Sequence, residues 1–461
     1  MFDLASAAAA LQARLVGDNT TVAGVATDSR QMKDGELLVA LRGERFDGHT
    51  FVGEALRAGV ASAALVDEAG AAQISERPLI VVPDTRKALG QLASFWRAQW
   101  HGTLIGVTGS NGKTTVKEMI AAILGAHSDE DSVLATAGNL NNNIGMPMML
   151  LRLRPRHRYA VIEMGMNHLG EIAYLTRIAR PQVALINNAG TAHIGEVGSR
   201  QAIAQAKGEI FEGLGPDGIA ILNADDDFVA YWRGLAGARR CIDFGLANDA
   251  QLKGEIDELQ PQVRMQVRID GENRTTLIVP APGRHNAMNA LAAAAAAHAV
   301  GVPPPVIATG LTRYHGVKGR LQVKVGVSGA TIIDDTYNAN PDSVRAAIDV
   351  LSHLKGHRVL VLGDLGELGS YSVELHTLVG QAAKDAGIDR LYTLGEASAQ
   401  SCAAFGAGGR HYRSLEELAE ALRKELDARA TVLVKGSRFM RMERLVEALG
   451  DHQSTITRDH H

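Results

Sequence analysis

The sequence predicts an α/β fold of three domains with mostly parallel sheets. A chain of 461 residues is too long for one ordinary hydrophobic core. Short β-branched or apolar runs alternate with helical patterns along the chain, as strands and crossover helices do in parallel sheets. We therefore expect a small domain over residues 1–83, a larger central domain over 84–312 and a third domain over 313–461.

The first segment has the elements of a small α/β unit. MFDLASAAAALQARLVG (1–17) has the pattern of an amphipathic helix, and Asp3 together with the missing basic start argues against a signal peptide. ELLVAL (36–41) and ASAALV (61–66) have the composition of strands, and the helical pattern FVGEALRAG (51–59) separates them.

The central and third segments contain apolar strands that end in polar residues or glycine. Ligands of open parallel sheets collect at the carboxyl ends of the strands, so chemistry is expected at these polar ends. In the central segment the strands are TLIGVTGS (103–110), YAVIEMG (159–165), VALINNAG (183–190) and GIAILNADD (218–226), and a helix follows APGRHNAMNA (281–290). In the third segment they are TIIDDT (331–336), RVLVLGD (358–364) and TVLVKGS (431–437).

Composition and charge exclude several classes of protein. The formal net charge of -4 gives no long-range attraction for nucleic acid or anionic membranes. Cys241 and Cys402 form no metal-type or redox-type pair, so a reducing cytoplasm is the expected compartment. The most apolar run, LAAAAAAHAV (291–300), is far shorter than the roughly 20 residues that span a bilayer, so we expect a packed helix and no membrane insertion. We expect the polar end DHQSTITRDHH (451–461) to fray.

GVTGSNGKTT (106–115) is typical of a phosphate-binding loop that leads into a helix, although Val107 stands where the strict G-x-x-x-x-G-K-[ST] spacing has its first glycine. Backbone N–H groups at a helix start can hold phosphate oxygens. Lys113 can reach the terminal phosphates, and the hydroxyl of Thr114 or Thr115 can ligate Mg²⁺. A glycine-rich turn without a ligand is the alternative. The residues expected to contact a nucleotide here are Gly109, Ser110, Asn111, Gly112, Lys113, Thr114 and Thr115.

The form TGSNGKTT (108–115) resembles the variant loop of the ATP-dependent Mur ligases and their folylpolyglutamate synthetase relatives. TDSRQMKDGELLVALRGERFDGHTF (27–51) resembles the UDP-substrate domain of this family. Further stretches resemble the same superfamily in the same order along the chain. They are GNLNNNIGMP (138–147), EMGMNHLGEI (163–172), NNAGTAHIGEVGS (187–199), AKGEIFEGL (206–214), NADDD (223–227), GRHNAMNALAA (283–293), GRLQ (319–322) and DDTYNANPDS (334–343).

The resemblance implies both a fold and a reaction. It implies a small N-terminal α/β domain, a central domain with a P-loop ATPase-like, mostly parallel sheet, and a C-terminal Rossmann-like α/β domain. ATP would convert a carboxylate to an acyl phosphate, which an amine then attacks to form an amide. Residues 27–51 and 334–343 are most similar to members that join D-alanyl-D-alanine to a UDP-N-acetylmuramoyl tripeptide in peptidoglycan precursor synthesis. We expect a cytoplasmic monomer with these substrates and no nucleic-acid partner.

The resemblance also implies which residues hold metal and phosphate. Two Mg²⁺ ions are expected, with a carbamylated Lys207 as one of the groups that orient them. A loop or capping role is the alternative for Glu163, a structural role for His193 and a solvated surface charge for Lys207. The implied metal residues are Thr114, Glu163, His193 and Lys207, and the implied catalytic residues are Lys113, Lys207, His193 and Arg320.

The remaining implied residues bind the nucleotide and the two substrates. Helix capping is the alternative for the two asparagines that face adenine, a loop for the 142–143 pair, a surface ion pair for Arg30, and a turn for KGSR (435–438). The implied nucleotide residues are Asn286 and Asn289 beside His285, with Arg320, Asp335 and Tyr337 from the third segment. The implied substrate residues are Ser29, Arg30, Asp47, Gly48 and His49 for UDP, and Asn142, Asn143, Asn338, Asn340 and Ser343.

Two other functions stay open from the sequence. One is a Mur-type amide ligase with a different amino-acid substrate. The other is a regulatory or scaffolding module whose phosphate loop drives a conformational change without ligation. A switch protein has no need for Glu163, His193 and Lys207 beside a domain that resembles a UDP-sugar binder, and this favours a ligase.

Overall fold

The predicted α/β architecture is confirmed by three sheets, each flanked by helices, with a short two-stranded ladder beside the first. The sheets occupy residues 14–82, 103–279 and 322–435, and each lies within one predicted segment. This computed structural model describes residues 1–44, 46–269, 271 and 273–450. The polar end at 451–461, for which we expect fraying, lies outside the described residues.

The N-terminal domain has a sheet of strand order β2-β7-β6-β5-β4, in which β2 is antiparallel to β7 and the other neighbours are parallel. The predicted first helix begins directly after Asp3, whose carboxylate accepts a hydrogen bond from Ser6 N. It is shorter than predicted, because it ends at Leu11 and Arg14–Val16 form a strand. The elements are β1 (Phe2–Asp3), α1 (Leu4–Leu11), β2 (Arg14–Val16), β3 (Thr21–Val22), β4 (Gly24–Ala26), β5 (Glu36–Val39), α2 (Val52–Arg57), β6 (Ala61–Asp67), α3 (Glu68–Ala71), β7 (Leu79–Val82) and α4 (Thr85–Ala98).

The central domain begins with the strand that leads into the phosphate loop. Its elements are β8 (Thr103–Thr108), α5 (Lys113–His127), β9 (Val133–Ala135), α6 (Gly145–Leu150), β10 (Tyr159–Glu163), α7 (Glu171–Ala179), β11 (Val183–Ile186), α8 (Ile194–Val197), α9 (Arg200–Gly208), β12 (Ile219–Asn223), α10 (Val229–Ala236), β13 (Arg240–Gly245), β14 (Leu252–Glu258), β15 (Val263–Ile269), β16 (Asn273–Val279), α11 (Arg284–Ala299) and α12 (Pro304–Thr312).

The central sheet has the order β16-β15-β14-β13-β12-β11-β8-β10-β9. Strands β8 to β14 pair with one another in parallel, whereas β15 is antiparallel to both β14 and β16. The antiparallel end of the sheet was not predicted, although VRMQVRI alternates buried and more exposed residues as a half-covered strand does. Because β8 lies between β10 and β11, the residues that follow these three strands meet at one edge of the sheet.

The C-terminal domain has the order β17-β18-β22-β19-β20-β21, with only β17 antiparallel to its neighbour among the described pairs. Its elements are β17 (Gln322–Val325), β18 (Thr331–Asp335), α13 (Pro341–Ser352), β19 (His357–Gly363), α14 (Ser372–Asp385), β20 (Arg390–Leu394), α15 (Ala399–Phe405), β21 (Gly409–Tyr412), α16 (Leu415–Glu425), β22 (Ala430–Lys435) and α17 (Glu443–Leu449).

The first and central domains share one hydrophobic core, in which α4 is the connecting element. Leu37 of the first sheet, Leu92 of α4 and Met149 of α6 belong to the same cluster of buried side chains. The buried guanidinium of Arg97 on α4 donates to the carbonyl oxygens of Ala179 and Arg180 at the end of α7. The C-terminal sheet has separate clusters on its two faces.

The alanine-rich run predicted as a packed helix lies on α11, and its side chains from Ala290 to Ala297 are buried. The small alanine side chains let α11 pack closely against α5, the helix that follows the phosphate loop. Among the described residues, each helix is too short or too polar to cross a lipid bilayer.

Candidate active site

The phosphate loop joins β8 to α5 at the carboxyl edge of the central sheet. Gly112, the residue before the helix, has φ of 78°, which glycine adopts without strain. A Cβ at Gly112 would lie 2.3 Å from Oδ1 of Asn289, so a side chain at this position would also clash. Asn188, which follows β11, holds the loop because its Oδ1 accepts from Asn111 N at 2.8 Å and its backbone oxygen accepts from Ser110 N at 3.0 Å.

The side chain of Lys113 curls over this loop. Its Nζ donates to the backbone oxygen of Gly109 at 2.7 Å and to that of Ser110 at 3.3 Å. Loss of hydration lowers the pKa of Lys113, Glu163 opposes this shift and Arg320 adds to it. The ammonium is thus a preorganised cation at the place where the resemblance puts the terminal phosphates.

Glu163, the last residue of β10, is buried directly beside the helix that follows the loop. Its Oε2 accepts from the hydroxyl of Thr114 at 2.9 Å, and its Oε1 accepts from Nδ2 of Asn141 at 2.6 Å. The guanidinium of Arg320, from the C-terminal domain, donates to the same Thr114 hydroxyl at 3.0 Å. The structure therefore brings Thr114, Glu163 and Arg320 together.

Asn141 is a contact of Glu163 that the sequence reasoning did not single out. Within NLNNNIG, the prediction chose Asn142 and Asn143. Asn142 lies just before α6, where its Oδ1 accepts from the backbone N–H of Gly145 at 2.8 Å. Spacing within a run of asparagines gives no signal that distinguishes the residue that contacts Glu163 from the residue that contacts the start of the helix.

Lys207 lies on α9 with its side chain completely buried. Its Nζ has no hydrogen-bond partner among the described residues. Burial, and then the charge of Lys113, hold the pKa of Lys207 well below its usual range. The structure excludes the alternative of a solvated surface charge and places this amine, whose charged form is disfavoured by burial, in the protein interior.

His193 begins α8 and contacts the C-terminal domain. Its Nδ1 lies 2.8 Å from Oε2 of Glu367, which follows β19. The pKa of Glu367 is lowered, first by hydrogen bonding to His193 and then by its charge, while burial opposes this shift. Glu367 was not predicted, although its place in the loop after the strand RVLVLGD is the position where site residues are expected.

The described residues contain no group of three or more His, Cys, Asp or Glu side chains that could hold a metal ion. Glu163 and His193 therefore do not form a metal cage made of protein groups alone. Mg²⁺ is commonly bound by one or two carboxylates together with water and substrate phosphates, and the Thr114 and Glu163 oxygens are ligands of that kind. The donor set fits a metal ion that is held jointly by protein and nucleotide.

A cavity of about 1040 Å³ opens between the central and C-terminal domains beside the loop. The predicted nucleotide residues Asn286, Asn289, Arg320 and Asp335 line it, and so does His285, whose pKa is lowered by burial. The helix-capping alternative for the two asparagines is not observed, because Gly283 is the N-cap of α11. Asn289 instead accepts from Nδ2 of Asn187 at 2.9 Å, which connects α11 to the residue after β11.

The predicted nucleotide residues of the third segment, Arg320, Asp335 and Tyr337, contact other side chains of the C-terminal domain. The guanidinium of Arg320 lies 4.4 Å from the centre of the Tyr337 ring. Asp335 accepts from Nζ of Lys435 at 2.6 Å. Lys435 also lines the cavity, so the stretch KGSR contributes its first residue to the site.

The C-terminal domain is closed on the phosphate loop through the start of α13. Nδ2 of Asn340 donates to Oδ1 of Asn111 at 2.7 Å. Oδ2 of Asp342 accepts from the backbone N–H of Thr191 at 2.5 Å and from its hydroxyl at 2.8 Å. Asn340 and Ser343 also form the capping box of α13. Asn338 lies near them, and its Oδ1 accepts from the backbone N–H of Arg438 at 3.2 Å.

The residues implied for UDP form two separate places in the first domain. Asp47 and His49 are joined through Oδ1 and Nδ1 at 2.6 Å, and Arg42 pairs with both Asp47 and Asp67. Gly48 is needed there, because a Cβ would lie 2.9 Å from the backbone oxygen of Leu41. The sequence reasoning did not include Arg42.

Ser29 and Arg30 form the second of these places. The guanidinium of Arg30 is largely exposed and pairs with Asp28 at 2.7 Å, which matches the surface ion-pair alternative. No hydrogen bond or ion pair joins these two residues to Asp47, Gly48 or His49 in the described part of the first domain.

In class, the protein is a multidomain phosphate-loop protein whose nucleotide site is completed by a second domain. Three family models match consecutive parts of the chain: Mur ligase family, catalytic domain, at residues 21–97; Mur ligase middle domain at 107–297; and Mur ligase, glutamate ligase domain, at 319–438. Together with the relative described next, these matches show that the chain belongs to the Mur ligase family.

Similar proteins cover nearly the whole chain. The UDP-N-acetylmuramoyl-tripeptide--D-alanyl-D-alanine ligase of Escherichia coli is 43% identical over 446 residues, which are 96% of this chain and 97% of the relative. MurF from Acinetobacter baumannii has a crystal structure that superposes with a TM-score of 0.88 at 37% identity, over 96% of this chain and 97% of that chain. MurF ligase from Thermotoga maritima in complex with ADP superposes with a TM-score of 0.81 at 27% identity, over 92% and 96%.

Gly190 offers a test of the closed arrangement. A Cβ at Gly190 would lie 2.4 Å from Oδ2 of Asp342, so Gly190→Ala is expected to push this carboxylate away from Thr191 and to loosen the contact between the two domains. We expect substrate-dependent phosphate release from ATP to fall by roughly 10²-fold, because a displacement of about 1 Å at a catalytic site has an effect of this size. Asp342→Ala, which removes the same contact, should lower the release to a similar degree.

The matched control for Gly190→Ala is Gly234→Ala on α10, where a Cβ meets no atom within 4 Å. The control should keep wild-type activity. Equal activities of Gly190→Ala and Gly234→Ala would show that the enzyme does not work through this closed contact.

Proposed function

We propose that the chain is an ATP-dependent ligase that joins D-alanyl-D-alanine to a UDP-N-acetylmuramoyl tripeptide in peptidoglycan precursor synthesis. The observation that carries this proposal is the convergence of Lys113 and Glu163 of the central domain with Arg320 of the C-terminal domain at the phosphate loop. Catalysis of phosphoryl transfer consists mainly of positioning and charge stabilisation, and these groups supply both. The proposed substrates are those in the name of the Escherichia coli relative, which aligns over 96% of this chain.

In the first step, an oxygen of the tripeptide carboxylate attacks the γ-phosphorus of ATP, and ADP leaves. The product is an acyl phosphate, in which the carboxyl carbon has become a good electrophile. A carboxylate and a polyphosphate repel each other, so fixed cations must stabilise their approach. We assign this role to Lys113, which would exchange its loop carbonyl partners for phosphate oxygens, and to Arg320.

In the second step, the amine of D-alanyl-D-alanine attacks the acyl carbon, loses a proton and forms a tetrahedral intermediate. The bond from carbon to the phosphate oxygen then breaks, and inorganic phosphate leaves. Water would hydrolyse the acyl phosphate, so the site must be closed before this step. Contacts of Asn340 with Asn111 and of Asp342 with Thr191 provide that closure. We place the dipeptide near Asn338, Asn340 and Ser343.

We propose Mg²⁺, in two ions, at Thr114, Glu163, His193 and Lys207. When bound, Mg²⁺ supplies positive charge that neutralises the phosphate oxygens. The Thr114 hydroxyl and the Glu163 carboxylate are 2.9 Å apart beside the loop, so both can turn toward one ion. A carbamate on Lys207 would add an anionic oxygen ligand in a place where the unmodified amine has no partner.

The environment of Lys207 supports its carbamylation. A neutral amine attacks the carbon of CO₂ and releases one proton, which leaves an N-bound carboxylate. The downward shift of the pKa of Lys207 favours the neutral amine, which is the form that reacts with CO₂. The nearby charge of Lys113 repels an ammonium and would attract the carbamate. Burial therefore favours the reactive amine, and the charge of Lys113 favours the modified form.

We assign the UDP end of the substrate to the first domain, around Asp47, Gly48 and His49, with Arg42 as an added cation that can grip a diphosphate. Asn142, Asn143, Ser29 and Arg30 remain assigned to the substrate by resemblance. We also propose a cytoplasmic monomer as the working form.

One assay tests the function directly. Phosphate release from MgATP should require both the UDP-muramoyl tripeptide and D-alanyl-D-alanine, because the acyl phosphate needs the first and its aminolysis needs the second. The controls are each substrate alone, and the UDP-muramoyl tripeptide with D-alanine in place of the dipeptide. Release without either substrate, or a preference for a single amino acid, would defeat the proposal.

A further inference from the structure

Lys117 is a buried charged residue to which none of the steps above gives a role. It lies on α5, one helical turn after Lys113 and Thr114, and only 1% of its surface is exposed. Withdrawal of an ammonium from water costs several kcal/mol, and an apolar residue of similar size often stabilises such a place better. A purely structural role therefore explains Lys117 poorly.

The ammonium of Lys117 has two partners. Nζ donates to the backbone oxygen of Thr136 at 2.7 Å and forms an ion pair with Glu118. The side chain of Glu118 is 40% exposed and lies at the protein surface, whereas Thr136 is 1% exposed and lies in the interior. The inner partner of Lys117 is thus a backbone group directly after β9.

Thr136 connects Lys117 to Glu163. Its backbone N–H donates to the oxygen of Val161 on β10 at 3.0 Å. Its Oγ1 accepts from the backbone N–H of Glu163 at 2.9 Å. The side chain of Glu163 then contacts Thr114 at 2.9 Å. Helix α5 therefore holds the end of β10 at two points one turn apart, directly through Thr114 and indirectly through Lys117 and Thr136.

We propose that Lys117 is a positioning residue that fixes the Glu163 carboxylate for the nucleotide-bound Mg²⁺, given the metal role of Glu163 proposed above. The hydrogen bond from Glu163 N to Thr136 restrains the backbone of Glu163 and so fixes the position from which its side chain extends. Thr114 and Asn141 fix the orientation of its carboxylate. Loss of Lys117 would free the carbonyl of Thr136 and let the end of β10 shift away from the phosphate loop.

Calorimetric binding of ADP, with Mg²⁺ and in its absence with EDTA, tests this role without turnover. Lys117→Met keeps the length of the side chain and removes the charge. We expect the ratio of the two affinities to fall by roughly 10-fold, the lower end of the effect of residues that orient metal ligands. The affinity for metal-free ADP should stay at the wild-type value. Thr136→Val, which removes the acceptor for Glu163 N, should have the same effect and tests the role if Lys117→Met does not fold.

Two matched variants are the controls. Glu118→Gln removes the negative charge of the outer partner of Lys117 but leaves the contact with Thr136, and Thr136→Ser retains the hydroxyl. Both should keep the wild-type ratio. Lys117→Met could instead keep the wild-type ratio of the ADP affinities with and without Mg²⁺, or lose both affinities equally together with a lower melting temperature. Either result would overturn the positioning role of Lys117 but leave the proposed metal role of Glu163 standing. An ADP affinity of the wild-type protein that does not respond to Mg²⁺ would overturn the metal role of Glu163 and this proposal with it.

Discussion

Lys207→Ala is expected to abolish ligation, with a fall in kcat of at least roughly 10²- to 10³-fold, the usual effect of removing one electrostatic contact of a transition state. The proposed carbamate is lost with the amine, and the charge of Lys113 is left without its partner. Initial rates of substrate-dependent phosphate release measure the effect. Because the substitution leaves space for a small carboxylate in a buried site, acetate should restore part of the activity.

Lys424→Ala is the matched control for Lys207→Ala. Lys424 lies on α16 with 71% of its side chain exposed and pairs with Glu420 on the same helix, so its loss should leave kcat unchanged. Chemical trapping of the wild-type protein under CO₂, followed by mass spectrometry, should detect the modified lysine. Full activity of Lys207→Ala would refute the role of this residue.

Lys113→Ala is expected to silence the enzyme, because it removes the cation that stabilises the charge on the transferred phosphoryl group. We expect a loss of at least roughly 10²-fold in kcat, with a smaller change in the affinity for ADP, which lacks the γ-phosphate. Removal of the Lys113 contacts with Gly109 and Ser110 also loosens the loop. Single-turnover phosphate release and ADP calorimetry separate the two effects.

The same Lys424→Ala variant is the control for Lys113→Ala. A kcat that survives the loss of Lys113, or an equal loss of ADP affinity and kcat, would show that Lys113 serves only to shape the loop. The experiment is needed because the ammonium of Lys113 donates to loop carbonyl oxygens in this structure, and these contacts alone would also fit a structural role.

The parts of the site that the sequence predicted well lie next to strand ends. The loop 109–115 follows β8 and Glu163 is the last residue of β10, and a parallel sheet brings such ends together whatever the details of packing. The order of apolar runs predicted the strands that lead to these residues, but not the antiparallel end of the central sheet, β15 and β16. Lys207 was singled out by resemblance alone, since helical spacing does not say that a lysine points into the interior.

What the sequence could not predict depends on contacts between residues far apart in the chain. The pairing of Glu367 with His193 spans two domains, so it depends on how the C-terminal domain packs on the central one. The choice of Asn141 over its two neighbours depends on how α6 begins. Neither periodicity nor residue type contains this information, because both are local properties.

The shared core of the first and central domains has a mechanical consequence. Leu37, Leu92 and Met149 lie in one continuous cluster, so rotation of the first domain would expose apolar surface at a cost of about 25 cal/mol for each Å². The C-terminal domain has two clusters of its own and meets the central domain at Ile194, which packs against one of them, so its movement would expose less apolar surface. The first two domains thus act as one rigid unit that sets the distance between the proposed sugar-nucleotide site and the phosphate loop, and the third can move against it as a single body.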